Sequence, residues 1–134
     1  MALTANRELD RYVDQELRAL PIKGGSHIYK GALVGLASGY ARPLVAGDAF
    51  AGIAYEEVEN TSGADGAVSV RVFTQGDFEH TLGSASRANN GSAVYASDDA
   101  TITLTSTNNS LVGRQVDVPA NGKIVLRLRP WMQS

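Results

Sequence analysis

The sequence has no cysteine, only four prolines, two histidines and one tryptophan, and its aromatics amount to 7% of 134 residues. Without cysteine there is no disulfide framework, no thiolate zinc site and no cysteine nucleophile. There is also no excess of one charge: 12 basic against 14 acidic side chains leave a formal charge of −2. A protein that lives on phosphate contacts shows a basic excess, so nucleic acid is not an expected partner. No apolar run approaches the ~18–20 residues that a membrane-spanning helix needs, and a membrane is not expected either. Arg7, Glu8, Asp10 and Arg11 stand where a signal peptide would carry its apolar core. Asn60-Thr61-Ser62, Asn90-Gly91-Ser92 and Asn108-Asn109-Ser110 match the glycosylation triplet and are read as chance.

What remains is an ordinary globular composition, 43% hydrophobic and 19% charged. A chain of this length buries roughly 65–70% of its unfolded surface and folds without a metal or a disulfide. Its pattern changes once, near Pro21. Before it, Leu9, Tyr12, Val13, Leu17 and Leu20 recur at spacings of three and four, the stripe of one helical face. Asn6 can cap such a helix, and Pro21 with Gly24-Gly25 can end it. A helix of roughly 14 residues is marginal alone, so the stripe needs a surface to dock on. That surface is either its own domain or a neighbouring subunit.

After Ser26 the period becomes two. Val68, Val70 and Val72 alternate with polar residues, as do Ile102 and Leu104, Val116 and Val118, and Ile124, Leu126 and Leu128. This is the signature of half-buried antiparallel strands. Gly47-Asp48, Asp65-Gly66, Gly76-Asp77, Asn90-Gly91 and Asn121-Gly122 punctuate the runs, and such pairs tolerate the positive φ of tight hairpins. Asn121-Gly122 is the strongest of them. Lys30-Gly31 and Gly39-Tyr40 bracket a nearly continuous apolar strand, Ala32–Ala37, while Gly52 and Gly113 inside strand patterns suggest bulges or close backbone approach. The expected fold is all-β, a small antiparallel β-barrel or sandwich of eight or nine short strands. An N-terminal helical or extended arm, residues 1–25, precedes a β-domain at 26–134.

Few groups carry chemistry. His27 and His80 have no second histidine at ligand spacing, and a metal site needs several convergent ligands. Ser26 beside His27 points to the opposite strand face. Gly35-Leu36-Ala37-Ser38-Gly39 misplaces its serine by one position for a nucleophile elbow. The carboxylates Glu56, Glu57, Glu59, Asp98 and Asp99 fall where strands give way to loops, so solvated turn residues are expected. Lys123, Arg127, Arg129 and Trp131 form a small basic strand, expected as a solvated or ion-paired face.

Ile28-Tyr29-Lys30-Gly31-Ala32-Leu33-Val34 is followed by Gly39-Tyr40-Ala41-Arg42-Pro43 and Phe50-Ala51-Gly52-Ile53-Ala54-Tyr55-Glu56. Then come Val68-Ser69-Val70-Arg71-Val72-Phe73, Gly91-Ser92-Ala93-Val94-Tyr95-Ala96-Ser97-Asp98-Asp99 and Leu111-Val112-Gly113. In this order the motifs resemble the small head decoration, or cement, proteins of tailed bacteriophages, over residues 26–129. The resemblance implies a non-enzymatic virion protein, made in the host bacterial cytoplasm and bound to the capsid exterior. Its partners would be the major capsid protein and itself, usually as a homotrimer, with no catalytic residue, cofactor or metal. Leu9, Tyr12, Val13, Leu17 and Leu20 are then the expected contact stripe, and Arg127, Arg129 and Trp131 a weaker one. The alternatives are another virion component, at the head–tail junction or on the tail, and a carbohydrate-binding β-module for host attachment. Tyr40, Tyr55, Tyr95 and Trp131 are few and scattered for a sugar platform.

Overall fold

The computed structural model describes residues 17–130. They form a nearly all-antiparallel β structure of three sheets, with one 3-10 turn at Arg87–Asn89. In chain order the strands are β1 (Leu17–Pro21), β2 (Ser26–Ile28), β3 (Leu33–Ala37), β4 (Tyr40–Pro43), β5 (Ala49–Ala54) and β6 (Val58–Asn60). They continue with β7 (Ser69–Phe73), β8 (Asp77–Thr81), β9 (Ala93–Ala96), β10 (Ile102–Thr103), β11 (Ser110–Ala120) and β12 (Lys123–Leu128). The first sheet runs β1-β7-β5-β3-β4, the second β10-β9-β11-β12-β8, and β2 with β6 makes a short ribbon. One isolated parallel bridge, Ile22 to Ala41, links the chain just after β1 to β4.

Turn chemistry sets much of this. β3 and β4 pair up to Ala37↔Tyr40 around Ser38 and Gly39, whose φ angles are 52° and 86°. Both central residues at positive φ is the two-residue hairpin that matches strand twist. Ser38 is thus the corner of a strand–strand hairpin, not of a strand–helix elbow. Asn121-Gly122 joins β11 to β12 as the sequence implies, with Gly122 at φ 75°.

Two cores lie on either side of the first sheet. The larger contains Leu33, Phe50, Ile53, Val94, Val112 and Leu126 among its members and fills the space against the second sheet. The smaller gathers Ile22, Ile28, Val34, Ala51, Val70 and Val72. On β3, Leu33 enters one and Val34 the other, so this strand is buried on both faces. That explains its unbroken apolar run.

Phe50 and Ile53 share the larger core although three residues apart, which a strict period of two forbids. The β3–β5 register shifts between Val34 and Gly35, opposite Gly52 and Phe50, and this bulge resets the phase. Gly52 has φ 146°, and a Cβ there would collide with the carbonyl oxygen of Phe73. Gly113 is held for the same reason: a Cβ would meet the carbonyl oxygen of Arg127.

Two expectations need correction. Leu17 and Leu20 do not close a helical stripe; Leu17–Pro21 is an edge strand paired to β7, with Leu17↔Phe73 and Leu20↔Val70. Leu20 packs on the smaller core and Ile22 is fully buried within it, a period-two signal that docking on β7 makes decisive over local helical spacing. Pro21 sits at the end of an edge strand, where its missing N–H is tolerated. Strand pairing is thus already present at Leu17–Pro21, within the segment expected as the arm. On β11, register shifts at Leu111/Gly113 and Gln115/Asp117 invert the phase between them. Gln115 is therefore the fully buried residue, and Val116 is only half-buried.

Candidate functional site

Of the expected contact stripe, Leu9, Tyr12 and Val13 lie outside the described residues, as does Trp131 of the second group. Leu17 and Leu20 are half-buried on β1, the first described strand, at the edge of the first sheet. Leu20 is committed to the core beneath it.

The basic strand is mostly ion-paired. Arg127 donates to both carboxylate oxygens of Asp77 across the β12–β8 pair, at 2.8 and 2.9 Å. The paired guanidinium holds the Asp77 carboxyl below its ordinary pKa. Lys123 lies 3.2 Å from Glu79 on the same pair of strands. Arg114, directly opposite Arg127 on β11, donates to the Gly91 carbonyl at 2.9 Å. Among the described residues neither Arg114 nor Arg129 forms an ion pair.

These side chains surround a cleft of about 820 Å3 at the end of the second sheet. Phe73, Phe78 and Leu128 give it an apolar wall, while Arg114, Arg127 and Arg129 stand around it, with Asp77 as the one acid among the described residues. Phe73 and Phe78 pack ring to ring at 5.2 Å, and Tyr55 meets Phe73 edge-on at 5.3 Å. In a chain of net charge −2 the described residues of this cleft carry a formal excess of two positive charges, three arginines against one aspartate. The sequence hid it: Arg114 and Phe73 come together only through the β7–β8 turn and the β11–β12 register.

The remaining chemistry-bearing residues are spent on local structure. Glu56 accepts from the Arg71 guanidinium at 2.9 and 3.0 Å and from the Arg71 backbone N–H at 2.9 Å. Those bonds lower its pKa to about 2. Arg71 also lies over the Tyr55 ring, 4.9 Å from its centroid. Glu57 pairs with His27 at 2.8 Å, and the His27 ring stacks on Tyr29 at 4.2 Å. Glu59 accepts from the Thr61 hydroxyl. Asp98 closes its own turn by accepting from the Ala100 N–H at 2.8 Å and from the Thr101 hydroxyl, bonds that hold its carboxyl below the usual range. His80 faces the Thr81 carbonyl. Among the described residues no three His, Asp or Glu side chains gather as metal ligands would.

The least exposed ion pair escaped the sequence reading. Asp48 receives Arg42 at 2.7 and 3.0 Å and the Val45 N–H at 3.0 Å. Burial pushes the Asp48 carboxyl up, but these hydrogen bonds outweigh it and the net displacement is downward. Gly35 leaves room for this carboxylate, since a Cβ there would press on the Asp48 side chain. Of the exposed apolar residues, Tyr29, Val45, Tyr55 and Val68 lie in separate segments between strands and Leu111 on β11, the scattered exposure that any globular surface shows.

No family model, curated protein or solved structure matches this chain.

Proposed function

We propose that this chain is a non-enzymatic virion structural protein that binds the exterior of a mature bacteriophage capsid. There it clamps neighbouring copies of the major capsid protein, acting as a homotrimer built on a small β-barrel or sandwich. One observation carries the reading furthest: the first described strand, β1, is an edge strand of the first sheet. Leu9, Tyr12 and Val13 precede that edge strand in the sequence. The motifs that resemble decoration proteins also fall on strands, namely β3, β4, β5, β7, β9 and β11 in chain order. A clamp of this kind gains strength from multivalency, because weak contacts from each linked subunit multiply through effective concentration.

The test is co-sedimentation with mature, expanded heads that lack this protein. Saturable binding at about three copies per local threefold position is expected. Val13→Asp is the informative variant, because it places a charge in the expected stripe without touching β1, as a change at Leu17 or Leu20 would. It should abolish or sharply weaken decoration while leaving the unfolding transition unchanged. Binding to tails or to glycans, with none to heads, overturns the reading.

A further inference from the structure

We propose that Asn121-Gly122, the turn between β11 and β12, is a site of spontaneous deamidation, and that Gln115 holds the chain's other Asn-Gly pair, Asn90-Gly91, out of the same reaction. Asparagine before glycine is chemically self-reactive, because no Cβ on the following residue shields its backbone nitrogen or restrains its rotation. That nitrogen gives up its proton to water and attacks the asparagine side-chain Cγ. The side-chain nitrogen departs as ammonia, which leaves a five-membered succinimide. Water then adds to one of the two ring carbonyls and opens the ring. The product is aspartyl, or isoaspartyl, in which the main chain runs through Cβ and Cγ.

The two pairs are closely matched. Each falls in a turn with its asparagine exposed and its glycine at positive φ, 93° for Gly91 and 75° for Gly122. Their hydrogen bonds differ. The Gly91 N–H, the nucleophile, donates to the Gln115 carbonyl at 2.7 Å. The Asn90 Oδ1, on the carbon to be attacked, accepts from the Gln115 side-chain amide at 2.9 Å. One residue thus grips both ends of the bond that would form. Gln115 is itself fully buried on β11, where its amide also donates to the Ser86 carbonyl at 2.8 Å and its backbone N–H to the Ser92 carbonyl at 3.0 Å. Asn90 can react only when this clasp opens. Asn121-Gly122 has no such restraint: among the described residues neither the Asn121 side chain nor the Gly122 N–H makes a hydrogen bond. The Gly122 carbonyl accepts from the Leu82 N–H at 2.9 Å, but it takes no part in ring closure.

Conversion there would reach the fold. An isoaspartyl linkage lengthens the main chain between Ala120 and Lys123, which face each other across the turn, and shifts the carbonyl that holds Leu82. The inference stands without the capsid reading: it concerns one chain in solution, and failure to bind heads leaves it untouched.

The experiment incubates the full-length protein in mildly alkaline buffer, folded in one arm and unfolded in guanidinium chloride in the other. Peptide mapping by mass reads the conversion of amide to acid at each pair, and fragmentation separates the aspartyl from the isoaspartyl product. In the folded arm Asn121 should convert roughly ten-fold faster than Asn90, since two hydrogen bonds must break before the slower site reacts. In the unfolded arm the two rates should converge, because the dipeptide is the same. Gln115→Met, close in length but without the amide, should raise the folded rate at Asn90 and leave that at Asn121 unchanged. Circular dichroism establishes that the variant is folded; if it is not, the two arms of the parent protein decide. Equal rates in the folded arm, or an Asn121 inert while folded, would overturn the proposal. A difference that persists in guanidinium chloride would overturn it too, because local sequence and not the fold would be its cause. A folded Gln115→Met protein with no faster conversion at Asn90 would overturn the role given to the Gln115 side chain.

Discussion

Leu33 and Val34 are neighbours on β3 and both are fully buried; Leu126 and Arg127 are neighbours on β12, and only Leu126 is buried. The two five-stranded sheets differ in this along their central strands. At its centre the first sheet has the larger core on one face and the smaller on the other. The second presents one face to the larger core and keeps a row of charges, Arg114, Arg127 and Asp77, on its outer face. A sheet buried twice has no face left for binding, so contact surfaces fall to its rim, where β1 enters, and to the outer side and end of the second sheet. The smaller core relies on small side chains, with Ala32, Ala41, Ala51 and Ala54 beside the valines and isoleucines. There the backbones pack closely, and little can change.

The strongest test of that contrast is Gly52→Ala. The added methyl would need positive φ and would strike the Phe73 carbonyl oxygen, between strands that have no free side to move to. Left-handed strain and overpacking together amount to about 4 kcal/mol, a large part of a typical domain's stability. The urea midpoint should fall by more than for any other substitution proposed. A variant with a normal midpoint would mean that β5 and β7 are free to separate, and that the first sheet is not locked as described.

An adjacent-pair scan sharpens the same comparison at smaller amplitude. Leu33→Ala and Leu126→Ala should each cost about 3 kcal/mol, and Val34→Ala about 2. Arg127→Ala should cost under about 1 kcal/mol, because it removes only an exposed ion pair with Asp77. Urea melts of the four variants check this. Equal losses at Val34 and Arg127 would erase the distinction between the sheets.

Much of this architecture was legible in the sequence, because turn residues and strand alternation are local signals. Gly39-Tyr40 and Asn121-Gly122 mark turns wherever the strands go, and Gly52 and Gly113 suggested bulges or close backbone approach before their neighbours were known. The failures were non-local. Leu17 and Leu20 fit a helical stripe equally well, and only Val70 and Val72 of β7, some fifty residues away, make the strand the better burial. Gln115 sits on the wrong side of the alternation until two register shifts are seen. There its side-chain amide donates to the Ser86 carbonyl at 2.8 Å and to Asn90 at 2.9 Å, tying down the loop before β9. The cleft was illegible for the same reason, since its arginines and phenylalanines meet only through strand register.

The smallest effect separates two surface ion pairs, one on each sheet. Glu56 on Arg71 of β7 accepts a backbone N–H as well as the guanidinium, whereas Asp77 on Arg127 of β12 has the guanidinium alone. The Glu56 carboxyl is lowered from 4.5 to about 2. A depressed carboxylate stabilises the fold above its unfolded pKa and loses that contribution as pH falls through the folded value. Glu56→Gln should therefore melt slightly below the parent at neutral pH. The gap should hold down to about pH 5, close progressively between there and about pH 2, and be absent below. Asp77→Asn should show the same sign with a smaller gap. Thermal melts across that range read both, and equal gaps would mean that the backbone N–H of Arg71 adds nothing, leaving the two sheets' surface pairs equivalent.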